Sequence, residues 1–470
     1  MENINLAEGM KKRRNIDKYS LQKGIVLLFL IVVFALLFFM GGVKKYPDTA
    51  QYLDLNPNRE PGYSILLNVV TLLFGERGFF VLGFLQNVMA VWAVYLTASY
   101  IGSKFRGKYI LPLVTGCLLL PYVVTPLFTS SGLILTNAMM SEGVTLSCYN
   151  LFAYFMLKSM WEEDKQRVSF MFALGVAFLL SIMRGQMIVT LLVWLCISIF
   201  IWIRQKKWKK ILETAFLFIF VLLCRTVFIH SFNLIVNGVY GGTTYGDVTI
   251  LSNVIYASDR ESGEVIEDGL LHRLFEEIYE VADSGNMLYH DAPRDFSQEA
   301  YFYSSMHDQI KDIAIYPVLQ SYVEIEEGTT AYMEMCMRVD ELASAMTKEL
   351  FGANIKVWTI NYMKNVAVGF IRTVAYVHPL LNIPTLFGYI ILFLAGAFVY
   401  WKKRDSKVVD FFLLTMLMTV GNVLAVALTI MCLSRYMIYN MSFVYITALL
   451  LFTEIWRKDK AVDEIQTILI

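Results

Sequence analysis

The sequence is poor in charge. Charged residues fill 17% of its 470 positions, where a soluble domain carries about a quarter. That shortage, with 57% hydrophobic residues, excludes an ordinary water-soluble globule. The 40 basic and 40 acidic side chains cancel, so the total charge points to no acidic partner, and no nucleic acid is expected. Cysteine is scarce and badly placed for bridging. Cys117, Cys148, Cys196 and Cys224 lie inside apolar runs, Cys432 lies near the end of another, and only Cys336 falls in a long polar segment. This excludes a disulfide framework, and no zinc-type spacing exists. Also missing are an internal repeat and a Pro- or Ser-rich linker. No small-residue cleavage site follows the first apolar run, so that run reads as a retained span rather than a signal peptide.

What is present is a series of apolar runs of membrane-crossing length. Candidate spans are 24–43, 79–101, 109–128, 141–159, 169–183, 187–203, 211–229, 383–401, 408–430 and 437–455. The predicted fold class is therefore all-α, a polytopic transmembrane bundle of about ten helices. Residues 61–75 and 356–378 are apolar but amphipathic, and are expected to lie along the interface. The pair 169–183 and 187–203 is short for a ~30 Å core and could be read as one helix broken at Arg184 and Gly185.

Charge placement decides between these readings. With the N-terminus (Lys11, Lys12, Arg13, Arg14) in the cytoplasm, further basic clusters fall on the same side: Lys104, Arg106 and Lys108; Arg204, Lys206, Lys207, Lys209 and Lys210; Lys402, Lys403, Arg404 and Lys407; and Arg457, Lys458 and Lys460. A single helix over 169–203 would invert every later loop, against the positive-inside rule. The segment 231–355 holds 22 acids against 6 bases and is placed outside. Its tyrosines (Tyr256, Tyr279, Tyr289, Tyr301, Tyr303, Tyr316, Tyr322, Tyr332) are too many for a solvating tail. Leu270–Val281 has helical apolar spacing, as do Met335, Val339, Leu342 and Met346. A small, mainly helical cap is expected. Three regions follow: an N-terminal membrane domain 1–230 with an outer loop at 44–78, the acidic segment 231–355, and a C-terminal part 356–470.

Polar residues at membrane depth are expensive and call for a reason. On this topology several reach one boundary: Asp48, Tyr52 and Arg59 in the first outer loop, Glu142 at the start of the fourth span, Arg184 between the fifth and sixth, His378 before the eighth, and Arg435 at the entrance of the last. A partly desolvated carboxylate can act as general base for a hydroxyl acceptor, and arginines grip phosphate by paired contacts. Each also has an ordinary reading. An arginine at a helix end can be a headgroup anchor; Asp48 can cap a following helix; Glu142 can serve the start of its own span with Ser141; His378, before Pro379, can be structural. The acids Asp247, Asp259, Glu261 and Glu264 do not match a calcium-loop spacing.

The order of a basic N-terminus, one span, the loop PDTAQY with Asp48 and Tyr52, the amphipathic REPGYSILLNVVTLLFG, and an outward acid in MSEGVTL resembles the GT-C class of integral membrane glycosyltransferases. Its protein mannosyltransferase and aminoarabinose transferase branches begin in a similar way. The resemblance covers about the first 200 residues. It implies a glycosyltransferase of the cell (plasma) membrane that takes a sugar from a polyprenyl-phosphate donor to a glycan, lipid or protein acceptor on the outer face. It implies that Asp48 is the catalytic carboxylate; from its place at the same boundary, a supporting electrostatic role is expected of Glu142. It also implies that Arg59 and Arg184 neighbour the donor phosphate, and substrate contacts are expected from Tyr52, His378 and Arg435. Asp48 is followed by Thr49 rather than by a second acid, which departs from the mannosyltransferase pattern. No cofactor is implied with certainty, and a divalent metal stays open. Two other functions compete: a surface-polysaccharide polymerase or ligase, and a lipid or sugar transporter (flippase). A transporter usually carries polar residues near the midplane. Here only Arg225 and Asn422 interrupt the span centres.

Overall fold

The computed structural model describes residues 2–105, 107–129, 132–403 and 406–456, with side chains from Lys18 onward except Phe128. Arg106, Arg404, Arg457, Lys458 and Lys460 lie outside the described residues, as do the side chains of Lys11, Lys12, Arg13 and Arg14. The chain is all-α. Its one β contact among the described residues is an isolated parallel bridge between Lys44 and Ala138.

Among the described residues, nine helical segments are long and apolar enough to cross a membrane. They are built from α1 (Glu2–Gly41), α4 (Arg77–Lys104), α5 (Ile110–Phe128), α7 (Gln166–Met183), α8 (Val189–Arg204), α9 (Trp208–Asn237), α15 (Pro379–Lys402), α16 (Lys407–Thr429), and the pair α17 (Ser434–Met437) and α18 (Met441–Ile455). The tenth expected span, 141–159, is the 20-residue helix α6 (Glu142–Trp161). It is less apolar because it does not face lipid. Packed against α4, α7, α8 and α16, it can carry Glu142, Ser147, Asn150 and Ser159, all buried. The stretch 169–203 is two helices. Arg184 is extended (φ −159°, ψ 124°) and a short 3-10 turn, Gly185–Ile188, separates α7 from α8, as the charge argument requires.

The amphipathic stretch after the first loop is α3 (Pro61–Phe74). It buries Tyr63, Leu67 and Val70 and exposes Val69, Leu72, Leu73 and Phe74. Gly62 lets it approach α7: a β-carbon there would stand 2.7 Å from the Ile182 carbonyl oxygen. The two-faced pattern of this helix is the one expected at an interface.

The acidic segment folds as a helical cap with its own core. It contains α10 (Gly246–Ala257), α11 (Gly269–Ser284), α12 (Phe296–Gln309), α13 (Tyr316–Ser321) and the upper part of α14 (Tyr332–Val374). The predicted stripe of Met335, Val339, Leu342 and Met346 is buried against Leu251, Phe275 and Ile278. Side-chain caps start two of these helices: Asp268 accepts from the amides of Leu270 and Leu271, and Asp295 from that of Gln298.

The expected region boundaries at 230 and 355 fall inside continuous helices. α9 has 30 residues, roughly 45 Å at 1.5 Å per residue, so its last turns outrun a ~30 Å hydrocarbon core. It ends at Gly238 with φ +76°, a left-handed stop. α14 has 43 residues and runs from the cap down to the bundle without a break. The 356–378 stretch is therefore mostly the lower part of α14. It packs on α16 and α17 rather than lying free along an interface, and its buried face is mixed, with Asn361, Asn365 and Arg372 beside Val366, Val368 and Ile371.

Candidate functional site

The first outer loop is pinned before it reaches the charged residues. The amide of Lys44 donates to Asn137 O and the amide of Met139 donates to Lys44 O, each at 3.0 Å. Thr49 Oγ1 donates to Met139 O at 2.9 Å. Pro47 then opens α2 (Pro47–Leu53), with Asp48 in its first turn. Helical spacing places Gln51 and Tyr52 on the same face as Asp48.

Four chain segments bring their charges to this face. Arg59 Nη2 donates to Asp48 Oδ1 at 2.8 Å, and Arg59 Nε to Gln51 Oε1 at 2.6 Å. Arg435 Nη1 lies 3.5 Å from Asp48 Oδ2, so one carboxylate is shared by two arginines. Beside it, Arg184 Nη1 stands 2.7 Å from Glu142 Oε1. It also donates to Ser141 Oγ at 3.2 Å, while Arg184 Nε donates to Gln186 Oε1 at 2.8 Å. Tyr52 OH joins the two halves by donating to Ser141 Oγ at 3.1 Å.

The ring of Tyr436 lies between the two arginines, 4.8 Å from Arg184 and 4.9 Å from Arg435. Its backbone is held by Asn422 Nδ2, which donates to Tyr436 O at 2.9 Å, and by Gln186 Nε2 at 3.2 Å. Asn422, one of the two polar interruptions of a span, is thus a support for this ring.

Exposure divides the cluster. The side chains of Asp48, Arg59 and Arg435 are 22%, 29% and 30% accessible, whereas Glu142 is 2% and Arg184 14%. A ligand can reach the first three. Arg184 is already neutralised by Glu142, and that pair supports the site from beneath. Arg435 Nε is buried and has no hydrogen-bond partner among the described residues. It is a donor left over after Asp48 and Tyr436 are served.

Arg225, the charged interruption of a span, is ion-paired. Its Nη2 donates to Glu60 Oε1 at 2.7 Å and its Nε to Ser181 O at 3.3 Å. Glu60, immediately after Arg59, is buried, and burial pushes its carboxyl up to about 7 against the pull of Arg225. Gly185 makes room for it, since a β-carbon there would lie 3.1 Å from Glu60 Oε1. The loop bearing Arg59 is thereby fastened to α9 and to the turn that carries Arg184.

His378 is not brought into the cluster. Its Nδ1 accepts from the amide of Leu380 at 3.2 Å, capping α15, and its ring packs against Tyr376. With Pro379 at the first helical position, the imidazole turns back on its own helix. The sequence assigns no role to Glu60, Gln51, Gln186 or Tyr436, and offers Ser141 only as a partner of Glu142 at a span start. Glu60 and Tyr436 each adjoin a chosen arginine in the chain, which was the only local signal for them.

Among the described residues no group of three or more His, Cys, Asp or Glu side chains could hold a metal ion. No family model, curated protein or solved structure matches this chain.

Proposed function

We propose that this chain is a membrane glycosyltransferase that moves a sugar from a polyprenyl-phosphate donor to an acceptor on the cap side of the bundle. The observation that carries the reading is the sharing of Asp48 by Arg59 and Arg435 at an accessible lip, next to α3 with its exposed Val69, Leu72, Leu73 and Phe74. A phosphate that engages the two arginines takes the place of the Asp48 carboxylate and releases it. The freed carboxylate accepts the proton of the acceptor hydroxyl. The new bond forms between that oxygen and the anomeric carbon as the bond from carbon to phosphate oxygen breaks. The electron pair stays on the phosphate, where Arg59 and Arg435 stabilise the charge. The apolar face of α3 gives the lipid chain a place beside the reacting centre.

The test is made in cells that produce the protein. Deletion is expected to make a lipid-linked sugar accumulate, read by mass spectrometry of extracted lipids. The wild-type gene clears it and Asp48→Asn does not. Absence of any accumulating lipid-linked sugar, together with no transfer by the purified protein, refutes the reading.

A further inference from the structure

We infer that the cap, continued into the bundle by α14, positions the two accessible arginines of the cluster, with Thr244 acting on Arg59 and the pair Asn365 and Arg372 of lower α14 acting on Arg435. This rests on the reading of those arginines as the donor-phosphate contacts.

The first clamp joins the cap to the outer loop. The amide of Thr244 donates to Pro57 O at 3.0 Å, and Thr244 Oγ1 donates to Asn58 Oδ1 at 2.6 Å. Asn56 Nδ2 adds a bond to Tyr332 OH at 3.0 Å. Residues 56–58 run directly into Arg59. Thr244 is buried, so its hydroxyl bond is shielded from water.

The second clamp holds the corner between α16 and α17. A break between helices leaves backbone groups unpaired, and side chains of the lower part of α14 pair them here, joined by Asn253 of the cap. The amide of Cys432 donates to Asn365 Oδ1 at 2.9 Å, and Asn365 Nδ2 donates to Ile430 O at 3.0 Å. Arg372 Nη1 donates to Cys432 O at 2.9 Å and to Ser304 Oγ of α12 at 3.0 Å. Asn253 of α10 donates to Thr429 O at 3.1 Å. Met431 is part of the cap core. Arg435 follows this corner directly.

Arg372 is buried and has no carboxylate partner among the described residues. Burying a cation on neutral acceptors is costly. The arrangement ties α12 and α14 to the one carbonyl that leads into Arg435. By contrast Arg184, the third arginine, is bonded to Glu142, Ser141 and Gln186, none of which belongs to the cap. The cap and the helix that continues it therefore hold the segments leading into Arg59 and Arg435 in addition to their bundle contacts, while the hydrogen bonds and ion pair of Arg184 come from the bundle. A shift of the cap relative to the bundle would move Arg59 and Arg435 relative to Asp48, whose helix is held on the bundle through Thr49.

The experiment compares Thr244→Val with Thr244→Ser in the full-length protein. Valine keeps the shape and loses the hydroxyl; serine restores it. Hydrogen exchange at 46–60 is expected to quicken by about five- to ten-fold in Thr244→Val, the loss of one neutral hydrogen bond, with no change at 181–190 around Arg184. The KM for the polyprenyl-phosphate sugar is expected to rise by a similar factor while kcat stays within about two-fold. Thr244→Ser should return both to wild-type values. Asn365→Ala is the second arm, with faster exchange at 431–437. Unchanged exchange in both variants overturns the clamp. Faster exchange with an unaltered donor KM overturns its positioning role. If the wild-type protein transfers no sugar, the functional reading falls by itself. The clamp is then judged on exchange and on retention of polyprenyl phosphate in native mass spectra, where equal retention by wild type and Thr244→Val counts against it.

Discussion

Arg184 Nη1 lies 2.7 Å from Glu142 Oε1 in a pocket that leaves Glu142 2% accessible, so this arginine is committed to a carboxylate before any ligand arrives. Removing one partner of such a pair strands the other charge. Arg184→Ala is expected to destabilise the protein by about 3–5 kcal/mol, and Glu142→Gln with Arg184→Gln to recover most of that. Arg435→Ala, in contrast, should leave the melting temperature near wild type and weaken donor binding by about 2–4 kcal/mol. Arg435→Lys should be intermediate, because an ammonium cannot make the paired contact. Thermal melts and donor titrations on purified variants separate the two behaviours. Equal melts for Arg184→Ala and wild type would show that the buried pair is not structural.

The carboxylates should separate in the same manner. Asp48→Asn is expected to fold and bind donor but to lose turnover by about 10²–10⁴-fold, the usual contribution of a general base. Asp54, exposed at the end of α2, is the control, and Asp54→Asn should be mild. The measurement is sugar transfer at matched protein amounts, with donor binding scored separately. Full transfer by Asp48→Asn would mean that another group takes the proton.

Glu60 and Arg225 give a second test of burial against function. Arg225→Met removes the counter-ion of Glu60, whose carboxyl already sits at about 7. It is expected to cost about 3–5 kcal/mol at pH ~9, where the carboxyl would have to stay charged, and less at pH ~6, where it is protonated. Adding Glu60→Gln removes the stranded charge and should restore more than half of it. Melts in detergent or nanodiscs decide this. A double variant as unstable as Arg225→Met would show that the cost comes from packing and not from charge.

Topology needs a probe on the cap surface. Cys336, the one cysteine of the acidic segment, is 2% exposed and lies against Tyr316, so a membrane-impermeant maleimide should miss it in folded protein. Glu334, two residues earlier on the same helix, is exposed. Glu334→Cys should label in intact cells, and a cysteine at Lys209 only after permeabilisation. The opposite pattern would invert the orientation drawn from the basic loops.

The cap should weaken on acidification through His307. This ring is fully buried, bonded to Ser252 Oγ at 2.8 Å, with Asp308 and Lys311 as its charged neighbours. Burial lowers its pKa below the usual 6.5, partly opposed by Asp308. A histidine depressed in the folded state adds stability above pH ~6.5 that is lost as pH falls through the folded value. The melting temperature is expected to drop between about pH 7 and 5, and His307→Gln should flatten that slope. Asp308 is held at about 2 by His307 and Lys311 despite its burial, so its own contribution is lost only at much lower pH. Parallel slopes in wild type and His307→Gln would remove His307 as the cause.

Hydropathy and the basic loops were enough to specify the helical class, the two short helices on either side of Arg184, the two-faced α3 and the apolar stripe of α14, because each depends on local periodicity or on charge counted along the chain. The same arguments single out Asp48, Arg59, Glu142, Arg184 and Arg435, since a charge in an outer loop or at a span end is visible in sequence. Who pairs with whom was not visible. The sharing of Asp48 by Arg59 and Arg435, the burial of Glu142 against Arg184, the removal of Arg225 to Glu60 and the exclusion of His378 all depend on which helices stand side by side. So does the descent of α14 from cap to bundle, because a helix whose buried face mixes asparagines and an arginine with valines reads as interfacial until its neighbours are known. Partners far apart in sequence leave no local signature; only packing decides which buried charge meets its counter-ion and which remains open to a ligand.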